Sequence, residues 1–392
     1  MWAKYTTLPR VERYTILATC SFGLEALVAS ELAGLGFSGA CNENGRVVFE
    51  GTAMDVAEAN IGLRVADRVL VRLAGFPAPD FDALFEGVGS VPWPDFLPER
   101  PAVTVRARSL HSKLTSVPAV QSSAKKAIVE RLMKARGTRR VEEDGPSYGV
   151  EIALSSDRAE VLLDTTGAGL HKRGWKASTG EAPLRENLAA ALILLSRWKP
   201  SRPLADPLCG SGTIPIEAAM IARRMPPGLH RSFAAESWPH IPAAVWREAR
   251  EKARAGVTEE EFLIAASDRD GSVLEAARSN AKRAGVAEHI RFRQGDVRSF
   301  KADGDYGCLI CNPPYGERLG SRSEAEALYR AMGDVFRGLP SWSFFVLTAH
   351  PDFPRLAGMR ATKNRKLYNG NIKTWLYQFF GPLPREGGDA PP

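Results

Sequence analysis

After Pro203 the sequence alternates short apolar runs with longer amphipathic stretches, and no other feature restricts the fold as much. Residues 203–206 lead into 213–224, 262–268 into 272–284, and 290–294 follow. Residues 306–312 then lead into 324–337, and 343–348 close the series, with a helix expected over 188–198 ahead of it. Most of the short runs are apolar, so the faces of their sheet are expected to be covered. Covered strands separated by helices imply a doubly wound, mostly parallel sheet of the α/β, Rossmann-like kind.

Ahead of that series the texture differs. Strands are expected over 14–19, 46–50, 69–73, 103–108, 148–154 and 160–164. Helices are expected where Leu24, Leu27, Val28, Leu32 and Leu35 share a face, and over 54–66, 81–88 and 119–135. Residues 76–101, rich in proline and aromatics, read as a connecting region around a short helix. The result is an α+β block of one or two subdomains. Its boundary is expected near 167–183, where Gly167, Gly169, Gly174 and Gly180 accumulate, and the tail after Pro382 reads as disordered.

A chain of 392 residues exceeds what one core usually serves, so two or three domains are expected. The longest apolar run, 188–195, falls far short of the ~20 residues that span a bilayer, and no charged-then-apolar leader opens the chain. Membrane and secretory roles are therefore not expected. Five cysteines at irregular spacing suit a reducing cytoplasm better than a disulfide framework.

The net charge of +7 is unevenly spread. Residues 101–180 hold 14 Lys and Arg against 8 Asp and Glu, leaving the rest of the chain near neutral. Arg106, Arg108 and Lys113 precede the group containing Lys125, Lys126 and Arg131, and Lys172 and Arg173 come last. A polyanion such as RNA rewards concentrated cations, because neutralising its phosphates releases counterions. The competing reading is a solvated helix face.

Three short stretches carry the chemistry. Asp206-Pro207-Leu208-Cys209-Gly210-Ser211-Gly212-Thr213 follows a short strand and opens a helix, where a glycine turn lets the backbone approach a ligand. It lacks the third glycine of the dinucleotide fingerprint and the lysine of a P-loop. An acidic residue before such a turn suits a cationic nucleoside. Asp268 ends the next strand, where carboxylates accept from ribose hydroxyls, and Asp296 ends the third, suitably for an adenine amine. The 62 positions from Asp206 to Asp268 call for an insertion around 225–260, containing Trp238 and Trp246.

The third stretch is Asn312-Pro313-Pro314-Tyr315, after strand 306–312. A nucleobase amine is a poor nucleophile because its lone pair is delocalised into the ring. Acceptors that pyramidalise it restore the lone pair, and the Asn312 side chain and Pro313 backbone each offer a carbonyl. The prolines fix the loop, Pro314 extending the stiff segment, so the acceptors stay aimed. Tyr315 offers an aromatic plane for an unstacked base. No metal is needed. Cys308 and Cys311 form a C-x-x-C without a second pair, and neither they nor Cys209 are expected to bind metal or act as nucleophile.

These motifs resemble the S-adenosylmethionine-dependent methyltransferases that modify exocyclic amines. The likeness extends to Ala18-Thr19-Cys20-Ser21-Phe22-Gly23-Leu24-Glu25, to Leu163-Asp164-Thr165-Thr166-Gly167 and to His171-Lys172-Arg173-Gly174-Trp175. It continues through Ala182-Pro183-Leu184-Arg185-Glu186-Asn187-Leu188-Ala189 and Lys366-Leu367-Tyr368-Asn369-Gly370. Over residues 10–382 the chain is similar to the THUMP-containing bacterial 23S rRNA guanine-N2 methyltransferases, also labelled N6-adenine-specific DNA methylases. The resemblance implies a ferredoxin-like segment over 1–65, a THUMP RNA-binding domain over 66–167 and a Rossmann-like methyltransferase domain over 168–392. It implies S-adenosyl-L-methionine as cofactor, held by Asn187, Asp206, Cys209, Gly210, Ser211, Gly212, Thr213, Asp268 and Asp296. Asn312, Pro313, Pro314 and Tyr315 would then meet the target amine. Some relatives carry a second, fused methyltransferase domain, which the length here leads one not to expect. 23S rRNA is the leading substrate, then tRNA, then DNA adenine, with a non-catalytic RNA-binding role as the remaining alternative.

Overall fold

The computed structural model describes residues 13–176, 184–315 and 322–384; Gly180, Pro183 and the tail from residue 385 lie outside them. Two compact units divide the chain. The first holds residues 13–20, 28–170 and 228–255, and the second 21–27, 171–227 and 256 onward.

The first unit opens with β1 (Tyr14–Thr19), α1 (Glu25–Gly34), β2 (Cys41–Glu43), β3 (Arg46–Gly51) and α2 (Ala53–Gly62). Then come β4 (Arg68–Pro77), α3 (Phe81–Ser90), α4 (Trp93–Phe96), β5 (Ala102–Leu110), α5 (Val117–Arg136), β6 (Ser147–Ser155) and β7 (Arg158–Asp164). One seven-stranded sheet, in the order β2-β3-β1-β4-β7-β6-β5, runs through all of it. Strand β4 is the join: its first half pairs with β1, and from Leu70 to Pro77 it pairs antiparallel with β7, past a register shift between Arg72 and Ala74. Gly75 and Pro77 would end a strand by local propensity; pairing to β7 overrides them.

Helix α2 begins on a capping box between Thr52 and Asp55 and stops at Gly62, four residues short of the expected end. The next backbone amides, Arg64 and Val65, donate to the Glu31 carboxylate instead (3.0 and 3.1 Å), so the chain can leave the helix without orphaned donors. The region 76–101 is more than a connector. It contains β4's end and two helices, and it buries Trp93, whose indole donates to the Val88 carbonyl at 2.8 Å. α5 buries Val120, Ala124, Ala127, Ile128 and Leu132 and ends at Gly137, whose φ of +65° closes the helix.

The second unit comprises α6 (Glu186–Ser196), β8 (Leu204–Asp206), α7 (Thr213–Ala222), β9 (Ile264–Asp268), α9 (Gly271–Ala284), β10 (Ile290–Gln294) and β11 (Cys308–Cys311), with α8 (Ala243–Ala255) belonging to the first unit. It continues through α10 (Arg322–Arg337), β12 (Ser343–Thr348), α11 (Phe353–Leu356), β13 (Lys363–Asn369) and β14 (Ile372–Phe379). The sheet order is β10-β9-β8-β11-β12-β14-β13, parallel from β10 to β12, with β14 antiparallel to both its neighbours. The β13–β14 hairpin was not expected. Its signal is the two-residue Gly370-Asn371 turn (Gly370 φ +63°), obscured by Lys363, Arg365 and Lys366 along an edge strand.

The insertion anticipated between Asp206 and Asp268 leaves the second sheet altogether. Trp238 stacks on Tyr148 (4.7 Å between centroids) and donates to the Ser147 carbonyl at 3.0 Å. Gly228 lies so close to Ile61 and Asn60 that a Cβ would stand 2.7 Å from the Ile61 Cα. Among the described residues, no helix is long and apolar enough to cross a membrane.

Candidate active site

The second sheet grows outward from β8 through β9 to β10, then returns to β11 on β8's other side. That reversal parts the loops at the carboxyl ends of β8 and β11 and leaves a crevice. A cavity of about 410 Å³ lies there, lined by Gly210, Asp268, Asp296, Asn312, Pro313, Pro314 and Tyr315 among the anticipated residues. Leu208, Arg269, Val297, Arg298 and the first turns of α10 complete the wall.

The glycine turn is held by the neighbouring strand. Cys209 N–H donates to Ser267 O (2.9 Å) and Gly210 N–H to Asp268 Oδ2 (3.0 Å). Gly210 has φ +51° with open space where a Cβ would stand, so the backbone itself faces the cavity. Gly212 (φ +85°) is needed for a different reason: a Cβ there would press on Ala277 and Ile216 at 3.2 and 3.3 Å, against α9 and within α7. The Asn280 amide takes the Ser211 carbonyl (3.1 Å).

The remaining anticipated cofactor residues are not among those lining the cavity. Asp206 is 1 % exposed and accepts from Leu208 N–H (3.1 Å); burial holds its carboxyl well above the usual range. Thr213 accepts from Lys176 Nζ (3.1 Å), which also reaches Glu186 (3.4 Å). Asn187 is buried, its Oδ1 on Leu188 N–H. Lys176 thus joins α6 to the start of α7, a role with no local signal in the sequence.

On the opposite wall, the Tyr315 hydroxyl donates to Asn312 Oδ1. Pro313 is buried and the Pro314 carbonyl accepts from the Tyr329 hydroxyl at 2.8 Å. Asp296 caps a turn of 3₁₀ helix through Arg298 N–H and pairs with the Arg298 guanidinium, both at 2.8 Å. Burial pushes the thiol of Cys308 up to about 11 and raises those of Cys209 and Cys311 further, so all three stay neutral. Among the described residues, no group of three or more His, Cys, Asp or Glu could hold a metal ion.

The anticipated RNA-facing residues divide. Arg106 and Arg108 stand exposed on edge strand β5, Lys113 in the loop after it, and Lys126 on α5. Arg108 pairs with Glu151 and Lys126 approaches Glu130. Lys125 is half-buried, held by the Val103 carbonyl and Glu143, and Arg131 is half-buried too. Arg173 corrects the expectation outright. It is 3 % exposed and pairs inside the second unit with the equally buried Glu217 (3.1 Å), where no phosphate reaches it. Lys172 is exposed and lines a second cavity of about 560 Å³. There His171–Gly174, Leu184–Glu186 and Asn369–Ile372, parts of three stretches that carry the resemblance, converge.

The sheet order and the crevice define a methyltransferase of the doubly wound class. A family model described as the RMKL-like methyltransferase domain matches residues 173–378; models of the RlmL ferredoxin-like domain and the THUMP domain match 15–70 and 78–164. The chain belongs to this RMKL-like methyltransferase family, whose cofactor is S-adenosyl-L-methionine. It is 44% identical over 377 residues to YpsC of Bacillus subtilis (strain 168), a candidate RNA methyltransferase, covering 95% of this chain and 97% of that one. It is 35% identical to the ribosomal RNA large subunit methyltransferase K/L of Syntrophotalea carbinolica, covering 95% of this chain but only 55% of that protein. Among solved structures, SMU.472, a candidate methyltransferase complexed with SAH, superposes with a TM-score of 0.89 at 41% identity, covering 95% of this chain and all of that one.

Proposed function

We propose that the protein transfers a methyl group from S-adenosylmethionine to the exocyclic N2 amine of a guanine in 23S rRNA. One observation carries this reading: Asn312-Pro313-Pro314-Tyr315 shares a single cavity with Gly210, Asp268 and Asp296. The residues fit a nucleoside donor. Gly210 offers backbone without a side chain in the way, Asp268 a strand-end carboxylate for ribose hydroxyls, and Asp296 an acceptor for the adenine amine. Asp206, Cys209, Ser211, Gly212 and Thr213 belong to the turn that carries Gly210, and Asn187 to the first turn of α6. When bound, the donor supplies a sulfonium methyl, an electrophile that needs neither metal nor enzyme nucleophile.

Asn312 Oδ1 accepts from the target amine and draws its lone pair out of the ring, taking over the position that the Tyr315 hydroxyl now fills. The proline-stiffened loop holds that acceptor in place, so little reorganisation accompanies the transfer. Tyr315, released from Asn312, offers its ring to the base. The THUMP domain and the K/L relative support RNA over DNA as substrate; tRNA is the alternative the same motif allows. Tritiated donor incubated with naked 23S rRNA, tRNA and DNA, followed by nucleoside analysis, should give N2-methylguanosine from 23S rRNA alone. N6-methyladenosine, or label only in tRNA or DNA, would reject this assignment.

The exposed cations are the RNA grip. Replacing Arg106, Arg108, Lys113 and Lys126 together by alanine should weaken RNA binding and lower the slope of log affinity against log salt by roughly 2–4, about one for each phosphate no longer neutralised. Lys125→Ala should instead cost stability, since its ammonium serves Val103 and Glu143. Unchanged affinity and slope in the quadruple variant would make the patch a solvated face.

A further inference from the structure

We propose that Tyr329 is a positioning residue for methyl transfer: its hydroxyl anchors the Asn312-Pro313-Pro314-Tyr315 loop through the Pro314 carbonyl. The inference rests on the function proposed above and adds a residue outside the motif. Tyr329 lies on α10, fully buried, with its ring against Phe353 and His350. A phenylalanine would fill that space equally well. The hydroxyl costs desolvation unless it is bonded, so its presence calls for a partner.

It has two. The oxygen lies 2.8 Å from the Pro314 carbonyl and 3.1 Å from Thr348 Oγ1 at the carboxyl end of β12. A phenol carries one proton, and a carbonyl can only accept, so that proton goes to Pro314. Towards Thr348 the tyrosine must then accept, which makes the threonine the donor. Thr348 Oγ1 in turn accepts from His350 N–H (3.1 Å). The chain runs one way, from the His350 amide through Thr348 and Tyr329 to the Pro314 carbonyl, and each bond polarises the next. Burial holds the phenol's proton more firmly than in water.

The anchor answers a mechanical need. Prolines stiffen the loop's φ angles but remove the amide donors that could tie it to the sheet. β11 ends at Cys311, and Pro313 and Pro314 have no amide with which to extend its ladder. Tyr329 supplies that tie from α10, backed by Thr348 at the end of the neighbouring strand, and the acceptor on Asn312, two residues before Pro314, inherits its aim from it. Tyr329→Phe should therefore lower the single-turnover methyl-transfer rate about 10- to 100-fold, the cost of a misplaced reacting group. Affinity for S-adenosylhomocysteine and the KM for RNA should stay within twofold. Thr348→Val should give a smaller fall, and Thr348→Ser should restore the wild-type rate.

Amide hydrogen exchange supplies a second readout that needs no activity. The Asn312 and Tyr315 amides should exchange several-fold faster in Tyr329→Phe, while β12 is unchanged. A Tyr329→Phe rate within twofold of wild type overturns the proposal, whatever the melting temperature does. So does a rate loss accompanied by equal loss of donor affinity. A wild-type chain that methylates no RNA would reject the proposed function instead, and the exchange comparison would then decide the anchor alone.

Discussion

Asn312→Ala should lower methyl transfer by about 10²–10³-fold, some 3–4 kcal/mol, the scale seen when one preorganised polar group is removed from a reacting centre. Donor affinity should change less than twofold, because Gly210, Asp268 and Asp296 line the cavity independently of Asn312. The effect is large because the amine would keep only the Pro313 carbonyl as an acceptor from the loop, the Pro314 carbonyl being taken by Tyr329. Asn312→Asp keeps an acceptor and should retain part of the rate. Single-turnover transfer and calorimetric titration with S-adenosylhomocysteine separate the two quantities. If alanine abolishes donor binding as well, Asn312 belongs to the cofactor cradle.

The second large effect concerns folding. Arg173→Ala leaves Glu217 charged and buried without its partner, which costs about 3–5 kcal/mol. The melting temperature should fall by roughly 10 °C. The double change Arg173→Met with Glu217→Leu should recover most of that loss, since an apolar pair of similar volume avoids burying charge. Neither variant should alter the salt dependence of RNA binding. A weaker RNA complex at unchanged melting temperature would return Arg173 to the surface role its sequence neighbours suggested.

That residue illustrates why some of the site was legible and some was not. Asn312-Pro313-Pro314-Tyr315 and the glycine turn are consecutive residues with local chemistry, so their meaning survives without coordinates. Strands β1, β10 and β12 have the ends expected for them. Arg173 sits in a basic cluster, and nothing local announces a carboxylate 44 positions away. Tyr329 reads as one more apolar position on an amphipathic helix; its hydroxyl acquires a purpose only from Pro314 and Thr348. The extension of β4 to Pro77 and the β13–β14 hairpin depend on pairing partners that local propensity opposes or hides. Asp206 was legible as acidic, but its burial comes from the elements packed around β8.

The segment 228–255 bears on the order in which the molecule can be made. Its residues complete the first unit, covering Tyr148 and the end of α2, yet they are encoded after α6, β8 and α7 of the second. On the ribosome, the first unit therefore waits unfinished until residue 255 has emerged. By then β8, the central strand of the other sheet, is already synthesised, with its partners β9 and β11 still to come. During translation a first sheet with all its strands made, but its cover still missing, therefore coexists with a half-built second sheet, and a fragment ending at residue 170 lacks that cover.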